Sequence, residues 1–372
     1  MIDTVPPAGA PSLAHIIAQQ IATEGPLPLA DYMALALNHP TLGYYRKQDP
    51  LGTAGDFTTA PEISQMFGEL VGMCLLDVWS RAEMPKILLA EIGPGRGSLM
   101  ADVWRATNIL PPFQVAADTH LIETSPVLRA EQQKRVPHAT WHERLESLPT
   151  DKPLYLVANE LFDALPIHQY ERVNGNWFER YVRLSAQSTP KAPLFEPCLV
   201  PLAPGAEELL PPAMQNSPDG SIIEHCPPAL ALIEELSHRL AKQGGMALII
   251  DYGFDGPAGG DTFQALRSHK FADPYKDPGT ADLTAHVNFL SLKTAAQRAG
   301  VQALGSIEQG SFLRNLGIDA RAQTLIAKAS PEQQEEVSSA LHRLTDKEEM
   351  GSLFKVLALV GANTPTPVGF GH

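Results

Sequence analysis

Three short stretches of this chain carry residue types that could do chemistry together. The first is Glu91-Ile92-Gly93-Pro94-Gly95-Arg96-Gly97, which continues an apolar run from Lys86 and leads into a helical pattern at Ser98–Trp104. Glycines between a strand and a helix let backbone N–H groups approach a ligand with no Cβ in the way. A carboxylate two residues before the first glycine favours a cofactor with cationic groups over a pyrophosphate, because like charges repel. The second stretch is Asn159-Glu160-Leu161-Phe162-Asp163, which follows the run Leu154–Ala158. Glu160 and Asp163, with the Asn159 carboxamide, suit a cationic acceptor such as a guanidinium, whose five donors sit in a fixed fork. That group stays protonated in water, so transfer to its nitrogen needs acids that orient it, localise its charge and take up a proton. Capping of a following helix is the alternative use of the same two acids. The third stretch is Ile249-Ile250-Asp251-Tyr252-Gly253. Asp251 could touch acceptor or cofactor, or make structural hydrogen bonds, and His286 is a further candidate base or a structural histidine.

The elements needed to position these residues are legible as well. Apolar runs over 86–92, 119–123, 139–142, 154–158 and 246–251 alternate with helical patterns, which predicts a parallel sheet inside an α/β fold. In such sheets ligands lie beyond the carboxyl ends of the strands, where Glu91, Glu123, Glu160 and Asp251 all fall. Glu123 is expected to accept from ribose hydroxyls, and Glu143 to read the adenine or face water. Two cofactor classes use a strand–glycine–helix loop. Dinucleotide enzymes show G-x-G-x-x-G, whereas S-adenosylmethionine (SAM) enzymes show an acid two before glycines at every second residue, the spacing found here. An ordinary structural turn is the third reading. The interval to Glu123 exceeds the usual ~20 residues, implying an insertion near Pro111-Pro112.

Elsewhere, residues 12–38 predict two short helices broken by Gly25-Pro26-Leu27-Pro28, and a helix of about 20 residues is expected around Met66–Trp79. His168–Arg183 predicts a hairpin turning at Asn174-Gly175, inserted into or edging the sheet. Residues 185–220 read as an irregular excursion. Residues 254–317 read as loop-like around a helix at 289–299, followed by two helices and a closing strand at 353–360. The expected organisation is a helical N-terminal extension and cofactor-covering segment over 1–85, then a core over 86–372 with insertions at about 167–225 and 254–317.

Composition narrows the function classes. The chain has 372 residues, with 28 Lys+Arg against 42 Asp+Glu and a net charge of −14. That balance argues against a nucleic-acid or basic membrane-surface binder and is compatible with cationic protein targets. Cys74, Cys198 and Cys226 are scattered and odd in number, so neither a disulfide framework nor a cysteine zinc site is expected. With no H-E-x-x-H, C-x-x-C or Walker A motif, metal and phosphoryl-transfer chemistry are not expected. The first twenty residues hold no Lys or Arg, and no apolar run approaches the roughly 20 residues of a membrane span. The expectation is a soluble, cytoplasmic protein with no membrane span.

Taken together the motifs resemble one family along nearly the whole chain, the MidA-like SAM-dependent methyltransferases. This group contains the mitochondrial complex I assembly-factor protein arginine methyltransferase. The resemblance rests on Gly43-Tyr44-Tyr45, Gly55–Glu69, Glu91–Leu99, Glu123–Pro126, Asn159–Pro166, Ile249–Gly253, Gly260-Asp261-Thr262, Ala281–Phe289, Gln309–Leu313 and Met350–Val356. It implies a Rossmann-like class I SAM methyltransferase core with a helical N-terminal extension and inserted hairpin and helical elements. It also implies SAM as methyl donor and a protein acceptor, arginine of a complex I core subunit in the mitochondrial relative. On this chain the SAM loop falls at Glu91, Gly93, Gly95 and Gly97, with Glu123 at the ribose. The segment Thr58–Phe67 would fold over the cofactor with Ser64, Gln65 and Phe67 in contact, although core packing is the alternative for Phe57, Met66 and Phe67. The start directly at the domain fits a bacterial member. A small-molecule methyltransferase and a SAM-binding assembly chaperone without turnover are the competing readings.

Overall fold

The computed structural model describes residues 12–47, 58–202, 205–211, 214–257 and 260–370. The Gly55–Phe57 part of the Gly55–Glu69 motif lies outside them. The chain divides into two compact units. One draws on residues 1–50, 164–227 and 257–285, the other on 51–163, 228–256 and 286–372.

The second unit carries the predicted Rossmann-like α/β core. Its strands are β1 (Ile87–Ile92), β2 (Ala117–Ile122), β3 (Thr140–His142), β4 (Leu154–Asn159), β5 (Gly245–Phe254), β6 (Val287–Asn288), β7 (Gln302–Glu308) and β8 (Phe354–Val360). They form a sheet in the order β7-β8-β5-β4-β1-β2-β3, with β6 paired to the end of β5. The β3-β2-β1-β4-β5 portion is parallel, and β8 enters antiparallel between β5 and β7. All of β1 and β4 is buried, as expected for strands covered on both faces. From β1 the order runs one way through β2 to β3 and the other way from β4 to β5. A crevice must therefore open at the carboxyl ends of β1 and β4.

The expected long helix spans Gln65–Arg81 and belongs to this unit. It packs on the Ser98–Thr107 helix through Gly68 and Gly72. A Cβ on Gly68 would lie 2.5 Å from Asp102 Cβ, and one on Gly72 would lie 3.0 Å from Val103 Cα, so the approach requires glycine. Four helices over 309–353 precede β8, two more than expected. Strand β7, within the stretch read as loop-like, was also unexpected. It is an edge strand interrupted by Gly305, and its alternation is correspondingly weak.

The other unit holds the two short N-terminal helices, Leu13–Glu24 and Leu29–Asn38, the first capped by the Ser12 side chain. The hairpin forms where predicted, with His168–Val173 against Asn176–Leu184 and positive φ at Asn174 (51°) and Gly175 (79°). It does not enter or edge the main sheet. It builds a separate five-stranded sheet with Leu27–Pro28, Phe195–Pro201 and Ile222–His225. The Phe195–Pro201 strand overturns the irregular reading of 185–220, and it tolerates Pro197 and Pro201 because it is an edge strand. A three-stranded sheet of Gln264–Arg267, Lys270–Ala272 and Asp282–Thr284 occupies much of the other loop-like stretch.

Candidate functional site

The β1–helix connection turns tightly because its glycines take left-handed backbone angles, φ 66° at Gly93, 52° at Gly95 and 81° at Gly97. Gly97 donates its N–H to the Pro94 carbonyl at 2.7 Å and caps the Ser98–Thr107 helix. A Cβ on Gly93 would sit 3.0 Å from Leu161 Cδ1, so the β1 loop and the β4 loop approach each other at the point where the strand order reverses. Glu91, at the end of β1, is 2% exposed. The Met100 N–H is hydrogen-bonded to it, and its Oε2 has no partner among the described residues. Burial pushes its carboxyl up to about 8. An orphaned acid oxygen next to a bare backbone turn fits a ligand that brings positive charge, as SAM does with its ammonium and sulfonium.

Glu123 follows β2 and is also buried. Its Oε1 accepts from the Thr124 and Ser125 N–H groups at 2.8 and 2.7 Å, and Oε2 accepts from Gln132 Nε2 at 3.2 Å. Burial raises its pKa. Gln132 is fully buried and was not singled out in the sequence. Its Nε2 also donates to the Gly95 carbonyl at 2.7 Å, and its Oε1 accepts from Trp141 Nε1 at 2.8 Å. It thus ties the glycine loop to the β2 acid, a link no local pattern reveals because its partners lie 9 and 37 residues away. Glu143 is 74% exposed and faces Arg129 across 3.9 Å.

At the end of β4, Glu160 has a positive φ of 51°. Its Oε1 accepts from Asn159 Nδ2 and from the Ala60 N–H, both at 3.0 Å. Burial and then the neighbouring Asp163 push its carboxyl up to about 7. Asn159 is buried and its Oδ1 has no partner among the described residues. Asp163 is 7% exposed and adds negative potential to both Glu160 and Asp251.

Asp251, near the end of β5, has no exposed surface. Its Oδ2 accepts from the N–H groups of Leu161, Phe162 and Asp163 at 3.1, 2.8 and 3.3 Å, and Oδ1 from Tyr252 N–H at 2.9 Å. These bonds, with at least one backbone N–H on each oxygen, are what the structural alternative for Asp251 requires. Burial raises its pKa well above the carboxylate range. His286 is half-buried, with its ring edge-on to Tyr252 at 5.4 Å, and burial lowers its pKa.

In the covering segment, Ser64 caps the Gln65–Arg81 helix by accepting from the Met66 N–H at 3.2 Å, and Gln65 is exposed. Phe67 is fully buried in the core cluster, as is Met66, so both follow the packing alternative. Glu62 and Ala60 of the Ala60–Ile63 turn reach the glycine loop and Glu160 respectively. Neither was anticipated. Among the described residues no group of three or more His, Cys, Asp or Glu is placed to hold a metal, and no helix is long and apolar enough to cross a membrane.

Comparisons with known proteins agree with this geometry. Residues 70–307 match a family of S-adenosyl-L-methionine-dependent methyltransferases. The mitochondrial protein arginine methyltransferase NDUFAF7 homolog of Drosophila melanogaster is 38% identical over 95% of this chain and 85% of its own. The Mus musculus mitochondrial NDUFAF7 is 36% identical over 94% of this chain and 84% of its own. A Burkholderia thailandensis crystal structure with bound S-adenosyl-homocysteine superposes with a TM-score of 0.81 at 27% identity, covering 96% of this chain and 93% of that one. The curated relatives are mitochondrial, and this overturns the cytoplasmic expectation, which rested on cysteine usage and the N-terminal composition. The donor is SAM, and the chain belongs to the MidA-like SAM-dependent methyltransferases.

Proposed function

We propose that this enzyme methylates an arginine of a protein acceptor, with a core subunit of respiratory complex I as the acceptor the family resemblance suggests. The observation that carries the reading is the acid pair Glu160 and Asp163 at the end of β4, beside a glycine loop that packs against Leu161. Relatives named protein arginine methyltransferases support it. In this reading Glu91, Gly93, Gly95, Gly97 and Glu123 hold the cofactor, with Ser64 and Gln65 at its cover and Gln132 bracing the loop.

When bound, SAM supplies an electrophilic methyl group. Glu160 and Asp163 grip the acceptor guanidinium, fix which nitrogen faces the donor and draw positive charge toward the other two. Glu160, poised near neutrality, takes the proton that nitrogen loses. Asn159 holds the Glu160 carboxylate in place, and Asp251 holds the turn that carries both acids.

The test uses methyl-labelled SAM with peptides covering the arginines of complex I core subunits, each paired with a lysine-substituted version. Label in the arginine peptide alone is the expected result. Label in neither peptide but in a small-molecule extract favours a small-molecule acceptor. Tight peptide binding without label favours a chaperone.

A further inference from the structure

The four-residue turn Ala60–Ile63 makes polar contacts in two directions. Toward the cofactor loop, Glu62 Oε1 accepts from Ser98 Oγ at 2.5 Å, and Oε2 lies 3.5 Å from Arg96 Nη1. Arg96 lies inside the glycine loop and Ser98 opens the helix behind it. The Glu62 side chain is only 16% exposed, so its charge is poorly screened. Toward the acceptor carboxylate, the Ala60 N–H donates to Glu160 Oε1 at 3.0 Å. The turn itself is stiff. Ile63 and Ser64 return their N–H groups to the carbonyls of Thr59 and Ala60, Pro61 fixes one φ, and Ala60 is anchored in the core.

We propose that Glu62 is a positioning residue that fixes the exit of the cofactor loop, and that the turn carrying it couples this loop to Glu160. Moving the Arg96–Ser98 end of the loop moves the turn, and with it the N–H that holds the Glu160 carboxylate in its accepting orientation. Binding energy on the cofactor side is thereby shared with acceptor alignment, and by linkage the effect runs both ways. The coupling rests on Glu160 being the acceptor carboxylate. The loop half of the proposal does not.

Titration calorimetry of the full chain with S-adenosyl-homocysteine tests it without an acceptor. Glu62→Gln keeps the side-chain shape but sets an amide against Arg96. It should lower affinity about tenfold while the ligand-free unfolding temperature stays within about 2 °C of wild type. Ala60→Pro deletes the N–H given to Glu160. Proline suits the first position of a helical turn preceded by extended backbone, which Thr59 supplies at φ −76° and ψ 161°. It should lower affinity about threefold. The double variant should lose less than the product of the two, because one element transmits both effects. Glu62→Gln binding within twofold of wild type, affinity falling only in step with the unfolding temperature, or losses that multiply would each overturn the coupling. Wild-type protein that fails to bind would overturn the cofactor-loop assignment and the proposal with it. Failure of the Glu160 reading shows elsewhere, as unchanged methyl transfer in Glu160→Gln.

Discussion

Two buried acids near the carboxyl edge of the main sheet have opposite characters. Asp251 of β5 and Glu91 of β1 are 0% and 2% exposed, and burial raises the pKa of both. Asp251 accepts four backbone N–H groups and gathers residues 161–163 into one turn. Glu91 keeps an oxygen with no partner among the described residues. Burial alone therefore does not separate an acid bound to the backbone through both oxygens from one proposed to hold a ligand. What separates them is how many hydrogen bonds the carboxylate already makes. An acid whose oxygens are saturated by the backbone acts through the residues it holds, whereas an unsaturated one acts through what it will hold.

The sharpest way to break that contrast is to remove each acid and ask whether stability or binding suffers. Asp251→Ala strands four N–H groups in the interior and should cost about 3–5 kcal/mol in a denaturant titration. A loss under about 1 kcal/mol would mean the turn at 161–163 holds itself. Gly95→Val should weaken S-adenosyl-homocysteine binding more than about 100-fold by calorimetry, because a branched residue at φ 52° fills the bare turn beside Glu91. Retained affinity would refute the placement of the cofactor loop. Glu160→Gln should slow methyl transfer about 100-fold and keep S-adenosyl-homocysteine affinity within about threefold of wild type, because the amide oxygen can still accept the Ala60 N–H. Because the Glu160 carboxyl is pushed up to about 7 and must be ionised to act, the wild-type rate should fall as pH drops below that value, and the variant should lack this limb.

Glu91→Gln gives the smallest effect and the most direct comparison. It should weaken S-adenosyl-homocysteine about tenfold yet stabilise the ligand-free protein. The folded carboxyl titrates near 8 and the unfolded one near 4.5, so wild-type stability falls as pH rises through that window. The variant should lack the slope, and its advantage over wild type should reach a few kcal/mol at pH 8. A variant less stable than wild type at pH 8 would mean that the orphaned oxygen is satisfied in solution.

The main sheet was legible because each parallel strand is a short apolar run closed by glycine or acid, as at Leu88–Gly93 and Leu154–Glu160. The antiparallel parts were less so. Asn174-Gly175 announced its hairpin, but a turn fixes only the register of its two strands and not the sheet they join, so the hairpin's separate sheet was hidden. Phe195–Pro201 carries prolines that argue against a strand anywhere but an edge, and β7 carries a glycine with similar effect. In the site, the glycine loop and the strand-end acids stood out because local spacing defines them. The contacts of Gln132, Glu62 and Asp251 did not, since each bonds to residues 9 to 90 positions away.

The backbone of Glu160 lies in the left-handed region, where any residue but glycine carries strain of about 1 kcal/mol. Glu160→Gly would relieve that strain and also remove a half-buried acid from beside Asp163 and Asp251. Position 160 is thus one where folding and chemistry want different amino acids. A campaign that screens this enzyme for heat resistance or yield alone would be drawn to that exchange, and in the proposed role of Glu160 the improved protein would be the one that has stopped transferring methyl groups.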